Sequence, residues 1–201
     1  MRVPMRFSRS FLSVAVGLAV LVAGLGVAYA ASANQITSGF TDKTVYKFGN
    51  NIYITGTVNG DIYCAGQTVN IDAKVNGDVI CAGQNVTVGG NVAGDIRVAG
   101  QSININGVVA NNASVAGQDI NFSQNAKIGR DISVAGQTIS IDSPIGRDAE
   151  IAGETVYVNS SIGRNASVRV SKKLILQDKA VIGKNLSYTS PQILVKTGPA
   201  K

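Results

Sequence analysis

Histidine and tryptophan are absent from these 201 residues, and proline (4), cysteine (2) and methionine (2) are scarce. Without imidazole the chain has none of the usual Ser-His or Cys-His nucleophile pairs, His-ligated zinc sites or His general bases. No catalytic, cofactor-binding or metal-ligating residue is therefore expected, and the chain reads as structural rather than enzymatic. Aromatic residues make up only 5% of the sequence and charged residues 15%. A hydrophobic fraction of 45% nevertheless argues against disorder over the whole length. The 23 glycines stand among many Val, Ile, Asn, Asp and Ser, a composition of short strands joined by tight turns and hence of an all-β protein.

The first thirty residues read as an address rather than as fold. Arg2, Arg6 and Arg9 precede an almost wholly apolar run, Phe11 to Val27, which ends in the small-residue stretch Ala28-Tyr29-Ala30-Ala31. This is the three-part pattern of an export signal. The competing reading is an uncleaved membrane anchor, because the run approaches the roughly 20 apolar residues that span a bilayer. Cleavage after Ala30 leaves 171 residues and lowers the net charge from +6 to +3. Either way the remainder is expected outside the cytoplasm, secreted or associated with the envelope.

The strongest signal is internal repetition. Ala-Gly-Gln recurs with its glycine at Gly66, Gly83, Gly100, Gly117 and Gly136, and returns as Ala-Gly-Glu at Gly153, so the spacings are 17, 17, 17, 19 and 17. An Asp or Asn opens each unit at Asp61, Asp78, Asp95, Asn112, Asp131, Asp148, Asn165 and Asn185. Counted from that marker, five positions per unit are always apolar. The first column runs from Ile62 to Leu186 and the second from Cys64 to Tyr188. The third runs from Val69 to Ile193, the fourth from Ile71 to Val195 and the fifth from Val75 to Ile182. Two residues apart within a pair, these columns mark strand faces. Extra residues are confined to turns, two near Gln124 to Lys127 and three between Arg169 and Val181.

A 17-residue unit with three short apolar faces predicts one circuit of a parallel β-solenoid, each coil hydrogen-bonding to the next at about 4.8 Å. About eight coils over residues 45–196 are expected, with 31–44 a polar linker or N-terminal cap and 197–201 a tail. Asn-Gly at 59, 76 and 106 is a hairpin signal that would favour an antiparallel meander or a membrane barrel instead. The alternating runs are too short, and the outward residues too charged, for a barrel. A left-handed hexapeptide solenoid needs apolar gaps of six, whereas the gaps here are 2, 5, 2 and 4. The right-handed form also follows the general crossover preference.

The elements Gly-Asp-Val/Ile, Val-Ala-Gly-Gln and Val-x-Ile, as in Asn76-Gly77-Asp78-Val79-Ile80-Cys81-Ala82-Gly83-Gln84, resemble the bactofilins, polymer-forming bacterial cytoskeletal proteins. The resemblance covers Val45 to Val195. It implies a right-handed β-helix whose units join end to end into nucleotide-independent filaments, scaffolds for envelope and cell-shape machinery. The export-type N-terminus departs from the pattern of that family, whose members typically work in the cytoplasm or on the inner membrane face.

Independently of any family, each end of a solenoid presents unpaired backbone groups and an open slice of core, and must be capped or will pair with another chain. Only Lys196 to Lys201 follow the last apolar column, too few for a capping helix. Self-association is therefore expected at the C-terminal end through Tyr188, Ile193 and Val195, and secondarily at the end bearing Tyr46 and Phe48. The alternative is that these residues close the core of a monomer.

The position before the Asp/Asn marker changes from glycine to Arg130, Arg147, Arg164 and Lys184, a basic ladder beside the acidic one. Screened ion pairs are the plain reading; an anionic envelope polymer or membrane surface is the sharper one. Residues 31–110 carry four basic and five acidic side chains and residues 111–201 eleven and seven, so the rod is polarised in charge. Nucleic acid is not an expected partner, since the basic residues are not interleaved with stacking aromatics. The Asp/Asn column reads as turn residues satisfying backbone donors rather than calcium ligands. The Gln67, Gln84, Gln101, Gln118, Gln137 column reads as a stacked amide ladder. Cys64 and Cys81 share an inward column, as small buried hydrophobes or, in an oxidising compartment, as a disulfide. Two functions follow: a self-assembling envelope scaffold, or a monomeric module binding envelope or extracellular polysaccharide. A polysaccharide-cleaving β-helix is disfavoured, because no turn here has more than three extra residues.

Overall fold

A computed structural model describes residues 34–197 of the chain. The described residues form strands and turns, without a helix. In chain order the strands are β1 (Asn34–Thr37), β2 (Phe40–Thr41), β3 (Val45–Val58), β4 (Ile62–Val75), β5 (Val79–Val88), β6 (Ile96–Ile105), β7 (Val108–Val109) and β8 (Ala113–Phe122). They continue as β9 (Lys127–Ile128), β10 (Ile132–Ile141), β11 (Ala149–Val158), β12 (Ser161–Ile162), β13 (Ala166–Leu176), β14 (Val181–Ile182), β15 (Leu186–Thr189) and β16 (Val195–Lys196). Every pairing is parallel. The main sheet runs through ten successive layers, β1-β3-β4-β5-β6-β8-β10-β11-β13-β15. Parallel neighbours 17 residues apart, such as Gly66↔Gly83 and Gly83↔Gly100, define a β-solenoid of about ten turns. At about 4.8 Å per layer the stack is roughly 43 Å long.

The meander and the barrel are excluded by this pairing, and the Asn-Gly signal has a different meaning. Among the described residues only Gly39 and Gly56 have positive φ, so the turns at Asn59 and Asn76 are not the type I′ turns that a two-residue hairpin requires. Instead Asn76 Nδ2 donates to Asn59 Oδ1 at 2.7 Å, and Asn59 Nδ2 to Asp42 Oδ1 at 2.8 Å. The asparagines stack as an amide ladder up one corner.

Inside, the five predicted columns are buried from end to end of the regular region. Ile96, Val98, Ile105 and Val109 are each 0% exposed, and Phe122 fills the fourth column as its one aromatic. The third side is closed by short strands and single bridges, Val75↔Val92↔Val109 and Ile128↔Ile145↔Ile162. β-Branched side chains dominate because their stiff χ1 suits a pleated surface packed on both sides by the next coil.

The ends differ from expectation. Within residues 31–44, expected as a polar linker or N-terminal cap, β1 and β2 add a further layer, with Gln35, Thr37 and Thr41 in register with Ile52, Ile54 and Val58. Polar residues in inward columns conceal this turn, and it and the coil of β3, which precedes the first Asp marker, raise the expected eight coils to about ten. At the other end the alignment of the last coil shifts by one. Leu194, not Ile193, packs against the core, and Val195 pairs with Ile175. The reason is the irregularity in β13, where Val168 and Leu174 are separated by one residue more than in other coils, a bulge that the last coil inherits. Ile193 is left 90% exposed.

The Ala-Gly-Gln glycine is required by close approach rather than by backbone conformation. A Cβ at Gly83 would lie 2.7 Å from the carbonyl oxygen of Gly66, and one at Gly117 2.6 Å from that of Gly100. The coils meet backbone to backbone at this corner, and any side chain would wedge them apart.

Candidate functional site

Three surface features follow from the stacking: the ladders along the Asp/Asn corner, the two ends, and a trough where the repeat is broken. At the corner each side-chain oxygen accepts the backbone N–H of the equivalent residue one coil further on. Asp61 Oδ1 receives Asp78 N at 2.8 Å, Asp78 Oδ1 receives Asp95 N at 2.8 Å, and Asp95 Oδ1 receives Asn112 N at 3.0 Å. The series continues through Asn112, Asp131 and Asp148 to the amide of Asn165. One acceptor oxygen per residue suffices, so Asn serves as well as Asp. The column is a turn device, as the sequence implied, with its first oxygen already committed.

Asp148 is held below the ordinary aspartate range, chiefly by the backbone hydrogen bond from Asn165 and then by that residue's side-chain amide; burial opposes them, and Arg164 and Arg147 add lesser lowering effects. Its contribution to stability is thus fully present above the usual aspartate range and is lost as pH falls through the lowered folded value. The expected result is that protection of the Asn165 amide, its exchange rate referred to the intrinsic rate at each pH, falls on acidification, and that Asp148→Asn removes this acid sensitivity with little change near neutrality. An unchanged pH profile in the variant would contradict this assignment.

The basic ladder exists as a stack. Arg147 N donates to Arg130 O at 3.0 Å, Arg164 N to Arg147 O at 2.9 Å, and Lys184 N to Arg164 O at 2.8 Å, so the four residues occupy successive layers. Two are paired, Arg147 with Asp131 at 3.6 Å and Arg164 with Asp148 at 3.8 Å. Arg130 and Lys184 have no ion pair among the described residues. The glutamine column is a hydrogen-bonded ladder from Gln67 through Gln84 and Gln101 to Gln118, with links of 3.2, 3.2 and 3.4 Å. Cys64 and Cys81, which share an inward column as buried hydrophobes or as a disulfide, are joined as a disulfide across adjacent coils with Cα atoms 4.6 Å apart.

At the C-terminal end no strand follows β15 and β16 among the described residues. The last layer offers Ile182, Leu186 and Leu194, partly buried against the core, with Tyr188 45%, Ile193 90% and Val195 36% exposed. At the N-terminal end Tyr46 and Phe48 do not close the bore. Val45 and Lys47 take the inward columns, in register with Ile62 and Cys64, and Tyr46 stacks outside on Tyr63 with ring centres 5.2 Å apart. Alternation in Val45-Tyr46-Lys47-Phe48 carried this information, but a lysine in the second column masked it.

The trough was not foreseen. Both inserted turns are closed the same way, Ala126 N to Ser123 O at 3.0 Å and Ala180 N to Gln177 O at 2.9 Å. They stand three layers apart, about 14 Å, with two uninserted coils between. The resulting shallow pocket of about 280 Å³ is lined by Asn121, Ser123, Gln124, Asp142, Asn159 and Lys179. Asp142 accepts from Asn159 at 3.1 Å and from Ser140 at 2.9 Å, while the Ser123 hydroxyl is buried without a partner. The sequence located both insertions; only the layer count brings them to the same side of one depression.

No protein-family model, no curated protein and no solved structure matches the chain.

Proposed function

We propose that this chain is an exported, bactofilin-like structural protein, a right-handed β-solenoid that assembles end to end into a filament or scaffold at the cell envelope. The observation that carries the reading is the inequality of the two ends. Gln35, Thr37 and Thr41 overlie three apolar columns at the N-terminal end, whereas Ile182, Leu186 and Leu194 stand in the last layer at the other. Unpaired backbone edges beside such a slice of core are a template for another copy. Export rests on the leader, and a cross-coil disulfide suits an oxidising compartment. The leader, as cleaved signal or retained anchor, falls in residues outside those described. Electron microscopy and sedimentation of the purified protein over a range of concentrations test the proposal. Filaments or large assemblies support it, and a strictly monomeric rod overturns it.

The trough favours a second reading, a monomeric extracytoplasmic module for envelope or extracellular polysaccharide, since amides, a carboxylate and an ammonium group are the donors and acceptors that sugar hydroxyls use. On that reading a monomeric rod binds oligosaccharide, and Lys179→Ala weakens binding.

A further inference from the structure

The exposed large hydrophobic residues gather at the two ends, and the aromatic ones mostly at the first. Of the ten among the described residues, Ile36 (66%), Phe40 (70%), Tyr46 (63%), Phe48 (40%) and Tyr53 (39%) lie in the first two layers, while Val181, Tyr188, Ile193 and Val195 lie at the C-terminal end and Val108 between. Those of the first two layers also lie on different sides of the coil. Tyr46 is outward between the first and second columns, and Tyr53, paired with Ile36, between the third and fourth. Phe40 pairs with Thr57, immediately before the fifth. Further along the same outward columns stand Asn70 beyond Tyr53, Lys74 beyond Thr57 and Arg97 beyond Ile80. The N-terminal end therefore wears an apolar and aromatic collar while the outer columns turn polar within a few coils.

We infer that this collar is a seat for a lipid surface. Exposed apolar surface rimmed by polar residues marks an interaction surface, and amphipathic aromatic rings concentrate at the headgroup level of bilayers. The occupant is indicated by the preceding chain. Only six residues separate the apolar run Phe11–Val27 from Asn34, so the collar belongs to the end of the rod that directly follows that run in sequence. A cleaved leader would leave the collar as the protein's own membrane affinity; a retained one would make it the footing of the rod.

The chain contains no tryptophan, so one introduced residue is a unique reporter. Phe40→Trp and, at the opposite end, Ile193→Trp are made in the full chain and mixed with phosphatidylcholine–phosphatidylglycerol vesicles carrying brominated acyl chains. The expected result is that the Phe40→Trp protein shifts to the blue and loses most of its emission, whereas the Ile193→Trp protein does neither. Adding Ile36→Asp with Tyr53→Asp should restore the emission. Three outcomes overturn the inference: no quenching at position 40, quenching that survives the two aspartates and so reflects tethering alone, or a blue shift without vesicles that grows with protein concentration and so reports a second copy.

Discussion

Ile193→Asp is expected to leave the solenoid folded and to weaken its self-association by at least about tenfold, equivalent to about 1.4 kcal/mol. The side chain is 90% exposed and lies outside the core columns, so in the isolated rod a carboxylate there meets water and costs little. At a joint between two ends the same carboxylate would be taken out of water beside Leu194 and Val195, which is strongly unfavourable. Sedimentation velocity at matched concentrations reads the assembly, and far-UV circular dichroism reads the fold. Leu194→Ala is the poorer test, because Leu194 also packs on the core and its loss would confound stability with association. If the Ile193→Asp protein assembles as well as the parent, the joint is not at this end, and the scaffold reading loses the observation that carries it.

The columns explain why so much of the fold was legible. A coil that must bury Ile96, Val98, Ile103, Ile105 and Val109 against the equivalent residues of its neighbours repeats the same constraint every layer, and repeated constraint is visible in sequence. The Asp/Asn and Gln ladders were readable for the same reason. Legibility failed where the repeat met its boundary. Gln35 and Thr37 occupy inward columns in the first layer, where one side of the coil has no neighbour in register among the described residues to enforce apolarity. The bulge in β13 displaced the last layer by one, turning Ile193 outward and Leu194 inward. Strand alternation sets Tyr46 and Phe48 on the opposite face from Val45, so they do not close the core, the alternative to their role in association.

Turn insertions behave differently from column residues. Their positions are fixed by counting, but their meaning depends on which layers they fall in, and that requires the stack. Gln124 and Lys179 are 55 residues apart in sequence yet line one depression, since a solenoid brings every third coil within about 14 Å. A site of this kind has no linear motif. The same logic limits what the repeat says about the cysteines: 17 residues of separation place them in register, but whether two small buried side chains are thiols or a bond is not a property of spacing.

The cross-link is expected to stabilise the N-terminal coils far more than the rest. Cys64 and Cys81 close a loop for which the chain-entropy account gives about 3 kcal/mol, and the bond joins β4 to β5, the third and fourth layers from the N-terminal end. Cys64→Val with Cys81→Val is the informative variant, because valine already fills the same column at Val98, Val115 and Val134, each at most 1% exposed. The cavity term is thereby kept small and the measured loss belongs to the cross-link. In a stack whose stability is shared between nearest neighbours, that loss should appear as fraying from one end. Hydrogen exchange is expected to accelerate in β3, β4 and β5 by up to about two orders of magnitude, as a loss of about 3 kcal/mol implies, with β10 and β11 nearly unchanged. Reduction of the parent should reproduce the pattern slowly, since both cysteines are only 2% exposed and the reductant must wait for the end coils to open. Acceleration spread evenly along the stack would show that the solenoid opens as one cooperative unit instead, and no acceleration at all would show that the coils hold their register without the bond.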